Sequence, residues 1–277
     1  MLTEPGFGVR TRTGKRFSFV SRLETQPVRD VAPARRDSRP AEGELRPISH
    51  PFHPEVTVVI PTLNEADNIA YVLERLPDVV TEVIVVDGRS TDGTVEVVRS
   101  IRPDARVIEQ DRTGKGNALW CGVRMSTGDI TVLLDADGST DPAEIPRFTD
   151  ALLRGHDFAK GTRFAAGGGS EDITWLRRLG NRALVALVNA IWGVSYTDLC
   201  YGFNAFWTRV ARVVYAPCDG FEVETLINIR AASAKGLRVV EVPSFESSRR
   251  TGVSNLRAHR DGVRVLRTIL AEWLRPA

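Results

Sequence analysis

From Glu55 onward, short apolar segments alternate with segments whose apolar residues recur at helical spacing. The segments predicted as strands are 56–61, 82–87, 105–110, 129–137 and 157–164. The predicted helices between them are 64–76, 90–101, 114–125 and 141–153, and Asn64 and Asp141 are the expected N-caps of the first and the last. Strands this continuously apolar are typical of a parallel sheet that is covered on both faces. The sequence therefore predicts an α/β fold with a mostly parallel sheet sandwiched by helices.

The ends of these strands are where a ligand site is expected. In sheets of this kind, ligands bind beyond the carboxyl ends of the strands. The segments found there are 61–65, Asp87, 135–139 and Arg163. We therefore expect the binding residues to come from these positions.

Residues 1–54 differ from the rest of the chain. They contain ten basic and six acidic residues, several prolines and no sustained apolar period. Such a segment buries too little apolar surface to offset the entropy that is lost on ordering. We expect a disordered basic tail over residues 1–54 and a single domain over residues 55–277. An arm that visits an anionic membrane is the alternative for the tail.

Charge and cysteine content exclude several classes of protein. The chain has 37 basic and 35 acidic residues, a balance that excludes a strongly basic nucleic-acid binder. Its three cysteines lie far apart, which excludes a disulfide scaffold and a thiolate zinc site and suggests a reducing compartment. The first residues form no apolar leader, and no segment reaches the roughly 20 apolar residues of a membrane span. The sequence predicts a cytoplasmic protein, with peripheral contact to the inner membrane face as an open possibility.

The sharpest local feature is the pair of carboxylates at Asp135 and Asp137, directly after the apolar residues 132–134. In an extended chain, residues i and i+2 point to the same side, so both carboxylates are expected to face one pocket. They repel one another unless a cation lies between them, and oxygen ligands favour Mg²⁺ or Mn²⁺. Such an ion typically neutralises a nucleotide diphosphate as a leaving group. The alternative is an aspartate that only caps the next turn.

Two further positions point to a nucleotide. Asp87 ends the second predicted strand, where a carboxylate can bind a ribose or a base, although a role in the following turn is the alternative. The GKG segment at 114–116 lacks the upstream glycine and the serine or threonine of a phosphate-binding P-loop. Lys115 is nevertheless a candidate for a place near the nucleotide.

Four motifs occur in a fixed order: PTLNE at 61–65, VVDGRSTDGT at 85–94, LLDADG at 133–138 and GTR at 161–163. Together they resemble the family 2 glycosyltransferases, over roughly residues 55–260. The most similar branch is the one that transfers mannose or glucose to polyprenol (dolichol) phosphate. The resemblance implies the GT-A fold, a Rossmann-like domain that binds a nucleoside-diphosphate sugar such as a GDP- or UDP-sugar, together with Mg²⁺ or Mn²⁺.

The resemblance also implies roles for single residues. The positions implied to bind the nucleotide sugar are Pro61, Leu63, Glu65, Asp87, Asp135, Ala136, Asp137, Arg163 and Arg249. Asp135 and Asp137 would hold the metal, and Asp137 and Arg163 would stand at the catalytic centre. Arg249 begins the segment RRTGVSNL (249–256), which is similar to a phosphate-binding motif of the branch.

Three residues depart from the pattern of that branch, and the first is Gly88, where a second aspartate is commoner. Asn255 stands where the branch usually has a lysine, which removes one charge from the phosphate site. Ser139 stands where a glutamine often helps to hold the metal. These departures bear on the phosphate contacts and on the metal's ligands.

The chemistry of the acceptor leaves two enzymatic alternatives and one of another class. A lipid phosphate is already anionic near neutral pH, so it needs arginines rather than a base. A hydroxyl of a saccharide or natural product needs a general base, for which Glu222 and Glu224 are the candidates. The predicted function is a metal-dependent, inverting transfer of a sugar to polyprenyl phosphate at the cytoplasmic membrane face. A non-catalytic module that only binds a nucleotide sugar is the alternative of another class.

Two amphipathic helices are predicted in the second half of the chain. Residues 175–193 place leucines on one stripe and three arginines mostly elsewhere, and residues 256–275 place arginines beside an apolar stripe. Both patterns suit a membrane surface, and packing on the sheet or on a second subunit is the alternative.

Overall fold

The computed structural model describes residues 53–215, 217–252 and 258–275. The strands are β1 Val56–Thr62, β2 Val80–Asp87, β3 Arg106–Glu109, β4 Ile130–Leu133, β5 Phe158–Thr162, β6 Gly169–Ser170, β7 Asn204–Trp207, β8 Val239–Pro243 and β9 Phe245–Glu246. The helices are α1 Ala66–Glu74, α2 Thr94–Ile101, α3 Lys115–Met125, α4 Ile145–Leu153, α5 Trp175–Trp192, α6 Ala211–Val214, α7 Glu222–Ser233 and α8 Ala258–Trp273. Short 3-10 turns, Pro142–Glu144 and Thr208–Val210, precede α4 and α6. The expected tail falls almost wholly outside the described residues, as does Asn255.

The described strands build a sheet in the order β3-β2-β1-β4-β7-β5-β8. All neighbours are parallel except β7, which runs antiparallel between β4 and β5. The prediction of a mostly parallel α/β sheet is confirmed. The antiparallel strand β7 was not predicted, because its four residues are too few to show a period. A small second sheet pairs β6 with β9.

Alternation along β1 shows how the helices cover both faces of this sheet. Val58 packs with α1, α2 and α4, whereas Val59 packs with α3 and α7 on the opposite face. A third apolar cluster joins α5, α7 and α8, with Val188 and Ile269 fully buried in it. The sheet is therefore sandwiched by helices, as expected from its continuously apolar strands.

The structure corrects two local predictions. Strand β4 ends at Leu133, four residues before the predicted end, so the chain leaves the sheet before Asp135. Asn64 does not cap α1: it has a φ of 56° and its side chain accepts from the amide of Thr91 at 2.9 Å. The carboxylate of Asp92 accepts from the first amide of α1 instead, at 3.0 Å. The N-cap of the fourth predicted helix is confirmed, since Asp141 accepts from the amide of Ala143 at 3.1 Å.

Candidate active site

A cleft of about 260 Å³ opens beyond the carboxyl ends of β1, β2, β3 and β4. Its lining residues are Pro61, Thr62, Leu63, Glu65, Gly88, Gln110, Gly114, Lys115, Ala118, Asp135, Ala136, Asp137, Phe221 and Arg249. Seven of the nine residues predicted to bind a nucleotide sugar are in this set; Asp87 and Arg163 are not. The cleft lies at the edge of the sheet where a ligand was expected.

The first carboxylate of the pair is held by Lys115, the first residue of α3. The Nζ atom of Lys115 lies 2.6 Å from Oδ1 and 2.8 Å from Oδ2 of Asp135, and 2.6 Å from Oε1 of Glu224. Burial opposes the charge of Lys115, but attraction to the two carboxylates outweighs it and raises the pKa of the ammonium. Burial raises the pKa of Glu224, and the nearby Asp135 acts in the same direction, although Lys115 opposes both.

Gly202 forms the floor beneath this ion cluster. A Cβ atom at this position would lie 2.9 Å from the carboxylate of Glu224, 3.1 Å from the carboxylate of Asp135 and 3.0 Å from Nζ of Lys115. Any side chain would therefore displace part of the cluster, which explains a glycine here.

The second carboxylate of the pair meets Arg249, which reaches the cleft from the segment after β9. Its Nη1 atom donates to Asp137 at 3.3 Å, and its Nη2 atom donates to both oxygens of Glu65 at 2.5 and 2.6 Å. Two further bonds hold this segment against α1, because Thr251 donates through its amide and its hydroxyl to Asn68 at 3.0 and 2.8 Å. These contacts place Arg249 at the same end of the cleft as Asp137.

Asp87 is turned into its own loop. Its Oδ2 atom accepts from the amides of Arg89 and Ser90 at 2.9 and 3.0 Å. The carboxylate therefore shapes the turn after β2, and Gly88 forms the wall of the cleft there. Asp87 thus has a role in the turn, the alternative to binding a ribose or a base.

Arg163 occupies a buried site behind the cleft. It bonds Asp198 through Nε at 2.7 Å and through Nη2 at 3.0 Å, and the carbonyl of Cys200 through Nη2 at 3.0 Å. Its Nη1 atom donates to both oxygens of Glu246, at 3.0 and 3.2 Å. These contacts use all five N–H donors of the guanidinium, and Arg163 does not line the cleft in this structure.

The two candidate bases differ in position. Glu224 is the partner of Lys115 at the edge of the cleft. Glu222 turns away: it accepts from the amide of Gly220 at 3.1 Å, lies 3.6 Å from Arg264, and lines a second cavity between α7 and α8. Of the two, Glu224 is therefore the one whose contacts bring it to the cleft, and a general base must lie within reach of the proton that it abstracts.

The donor set of the cleft fits a hard divalent ion. Asp135 and Asp137 both line it and offer only oxygen, the ligand that Mg²⁺ and Mn²⁺ prefer. Within the described ranges there is no group of three or more His, Cys, Asp or Glu side chains that could hold a metal by itself. Two carboxylates suit an ion whose remaining ligands are phosphate oxygens and water.

Among the lining residues that were not predicted to bind the nucleotide sugar, three have long or aromatic side chains. Gln110 follows β3, Phe221 precedes α7, and Lys115 was considered only as a neighbour of the nucleotide. The position of Gln110 at a strand end was the one available signal. Phe221 comes to the cleft from a distant part of the chain, which no local pattern encodes.

Comparison with known proteins identifies the family of this chain. The family model described as "Glycosyl transferase family 2" matches residues 57–214. Glycosyltransferase AglJ of Haloferax volcanii is 32% identical over 210 residues, which are 75% of this chain and 68% of that protein. Polyprenol monophosphomannose synthase of Mycolicibacterium smegmatis is 30% identical over 230 residues, 78% of this chain and 85% of that protein.

A solved structure shows the same fold. Glucosyl-3-phosphoglycerate synthase of Mycobacterium tuberculosis, in complex with Mn²⁺, UDP and glucosyl-3-phosphoglycerate, matches with a TM-score of 0.65 and 25% identity over 81% of each chain. The chain belongs to glycosyltransferase family 2 and has the GT-A fold.

Proposed function

We propose that this glycosyltransferase moves a sugar from a nucleoside-diphosphate sugar to a polyprenyl phosphate, with Mg²⁺ or Mn²⁺ held by Asp135 and Asp137. The observation that carries the proposal is the arrangement of these two carboxylates in one cleft with Lys115 and Arg249. Four charged groups at one end of a largely apolar cleft suit a diphosphate and its metal. Relatives named for polyprenol and dolichol phosphate support the acceptor.

The donor would lie with its nucleoside toward β2 and β3 and its diphosphate toward β4. The bound ion would stabilise the charge that develops on the departing diphosphate. Arg249 and Lys115 line the same end of the cleft and add positive charge there. The acceptor oxygen forms its bond to the anomeric carbon from the opposite side, and the bond to the diphosphate breaks with its electron pair, so the configuration inverts.

A phosphate acceptor needs no general base to remove a proton, and the carboxylate of the candidate base, Glu224, is already paired with a cation. Glu224 is buried and shares its charge with Lys115. Arg163 orders the segments 198–200 and 246 behind the cleft, and we assign it a positioning role. Arg250, stacked at 4.0 Å from the ring centroid of Tyr71, lies next to Arg249 and is a candidate for contact with the acceptor phosphate.

Transfer to a hydroxyl is the second candidate function. The synthase that shares the fold was solved with UDP-glucose and phosphoglyceric acid, a small acid with a free hydroxyl. The pKa of Glu224 is raised, which suits a general base once Lys115 turns toward the diphosphate. Activity with small phosphorylated acids, and none with a polyprenyl phosphate, would favour this candidate.

The function is tested by sugar transfer to a polyprenyl phosphate in detergent, followed by extraction of the labelled lipid. Asp137→Ala should lower the rate about a hundredfold or more, because it removes a ligand of the ion that would stabilise the charge on the leaving group. Its melting temperature should stay close to that of the parent, since Asp137 lies outside the apolar core. Asp104→Ala, at an exposed carboxylate after α2, should keep both activity and stability. Full activity of Asp137→Ala would refute the mechanism.

Metal dependence is tested on the unaltered protein. Treatment with EDTA should abolish transfer, and added Mn²⁺ or Mg²⁺ should restore it. Binding of a nucleoside diphosphate, followed by calorimetry, should weaken in parallel. Transfer that continues in excess EDTA would show that Lys115 and Arg249 suffice without an ion.

A further inference from the structure

Gln110 stands at the end of the cleft that lies farthest from the two aspartates. It follows β3, and β3 is separated from β4 by β2 and β1. Three strand spacings correspond to about 14 Å. The side of the cleft near Gln110 is therefore the natural place for the base of a nucleotide whose diphosphate lies near Asp135 and Asp137.

The side chain of Gln110 is almost fully enclosed and yet lines the cleft. The residue is only 5% exposed. Its backbone amide donates to the carbonyl of Asp87 at 3.1 Å, and its Nε2 atom donates to the carbonyl of Arg112 at 3.1 Å. Because a carbonyl can only accept, the second bond fixes which end of the amide is nitrogen.

The Oε1 atom is consequently the free end. No described residue donates a hydrogen bond to it, and it is not among the polar atoms that are sealed from solvent without a partner. Since Gln110 lines the cleft, an oriented acceptor that is not sealed from solvent is suited to receive an N–H group from a ligand there. Buried polar groups of this kind discriminate strongly, because the wrong partner leaves them unpaired.

We propose that Gln110 is the residue that reads the base of the donor, its Oε1 atom accepting the ring N–H of a base in which that N–H lies next to a carbonyl. Uracil, thymine and guanine share this group. Cytosine and adenine carry an unprotonated ring nitrogen there, whose lone pair would face Oε1. The proposal rests on the nucleoside-diphosphate sugar donor proposed above and adds the determinant of its base.

The test is calorimetry with UDP, dTDP, GDP and CDP in the presence of Mn²⁺, on the full chain. At least one of UDP, dTDP and GDP, whose bases carry the ring N–H, should bind at least about tenfold more tightly than CDP. Gln110→Met, which has a similar volume and no acceptor, should lose that preference and bind CDP as tightly as the nucleotide that the parent protein prefers. Binding of inorganic pyrophosphate with Mn²⁺ should not change, because it engages only the other end of the cleft.

A second variant separates base recognition from a structural role. Gln110→Glu keeps an acceptor oxygen but loses the bond from Nε2 to the carbonyl of Arg112. It should retain the preference for a ring N–H, whereas a merely structural Gln110 would make both variants equally defective. Tightest binding of CDP by the parent protein, or an unchanged preference in Gln110→Met, overturns this inference alone. Binding of pyrophosphate without binding of any nucleotide overturns the nucleotide donor together with it.

Discussion

Each of the two aspartates in the cleft touches a cationic side chain. Lys115 bonds Asp135, and Arg249 bonds Asp137. A divalent ion that binds these carboxylates has to share them with, or take them from, the two cations. Once released, Lys115 and Arg249 would be free to meet the diphosphate that arrives with the ion. The same residues can thus stabilise the empty cleft and the bound donor.

This competition predicts the effect of Lys115→Met on metal binding. Without the ammonium of Lys115, the negative charges of Asp135 and Glu224 are left uncompensated. The variant should therefore bind Mn²⁺ in the absence of nucleotide about tenfold more tightly, a difference of roughly 1.4 kcal/mol. Its affinity for a nucleoside diphosphate should fall at the same time. Lys235→Met, at an exposed lysine after α7, is the matched control and should change neither constant. Weaker Mn²⁺ binding by Lys115→Met would contradict the competition.

The buried pair of Arg163 and Asp198 makes a prediction about stability. Asp198→Asn leaves the guanidinium without its main partner and should lower the free energy of unfolding by about 3–5 kcal/mol. Asp104→Asn, in the exposed pair with Arg102, should change it by less than about 0.5 kcal/mol. Urea unfolding of both variants measures the difference. A similar small loss in the two variants would show that the buried pair is not needed for stability.

The same pair predicts a pH dependence of definite sign. Burial alone would raise the pKa of Asp198, but hydrogen bonds and attraction from Arg163 outweigh it, so the folded-state pKa lies below the ordinary 3.8. A lowered carboxyl pKa contributes stability that is fully present above the unfolded value and is lost as pH falls through the folded one. The difference between the parent protein and Asp198→Asn should therefore stay constant from about pH 7 to about pH 5 and shrink as the pH falls below about 4. A difference that grows on acidification would contradict this sign.

At the scale of elements, the sequence predicted what depends on local pattern. Continuous apolar segments identified β1, β2, β3 and β5, and the residues that end β1 line the cleft as expected. The position of Arg163 depends instead on Asp198 and Glu246, which lie 35 and 83 residues further along the chain. Whether a side chain at a strand end faces the ligand or turns back is decided by such distant partners, which no local pattern reveals.

The packing of α3 on the sheet depends on a glycine. A Cβ atom at Gly122 would lie 2.2 Å from a methyl carbon of Val59 and 3.0 Å from one of Val86. Gly122→Ala should therefore force α3 away from β1 and β2 and lower the free energy of unfolding by about 1–3 kcal/mol.

Gly180 in α5 is the matched control for this change. Apart from its chain neighbours and the backbone of its own helix, no described residue has an atom within 4 Å of a Cβ atom built there, so Gly180→Ala adds only the better helix propensity of alanine. It should raise the free energy of unfolding by up to about 1 kcal/mol. Thermal or urea unfolding of the two variants should give shifts of opposite sign, and equal shifts would contradict the close approach of α3.

At the scale of the whole molecule, the cleft and one exposed apolar surface lie at the same edge of the sheet. The N-terminal turns of α5 expose Trp175, Leu176 and Leu179, at 76%, 59% and 57% of their full surface. Ser170 of β6, which pairs with β9 just before the segment of Arg249, bonds the amide of Ile173 at 3.1 Å. The start of α5 is thus joined to the segments that follow β5 and β9. Within the part of the chain that the structure covers, no helix has the length and apolar character to cross a bilayer.

A lipid acceptor would bring this enzyme to a membrane surface, and α5 offers the side chains for it. Trp175, Leu176 and Leu179 can enter the interface while the exposed Arg178 and Arg182 meet anionic headgroups.

The protein should sediment with vesicles that contain anionic lipid, and less so in high salt, which screens the charge. Replacing the three apolar residues by serine should abolish sedimentation and lower transfer to a vesicle-embedded polyprenyl phosphate, with little change for a short-chain acceptor in solution. Met125→Ser with Leu153→Ser, at exposed apolar side chains of α3 and α4, is the matched control and should bind as the parent does. If the α5 variant still sediments with the vesicles, the next surface to alter is the exposed stripe of α8, which includes Leu270 and Trp273. If a variant altered on both helices still sediments, neither helix carries the membrane contact.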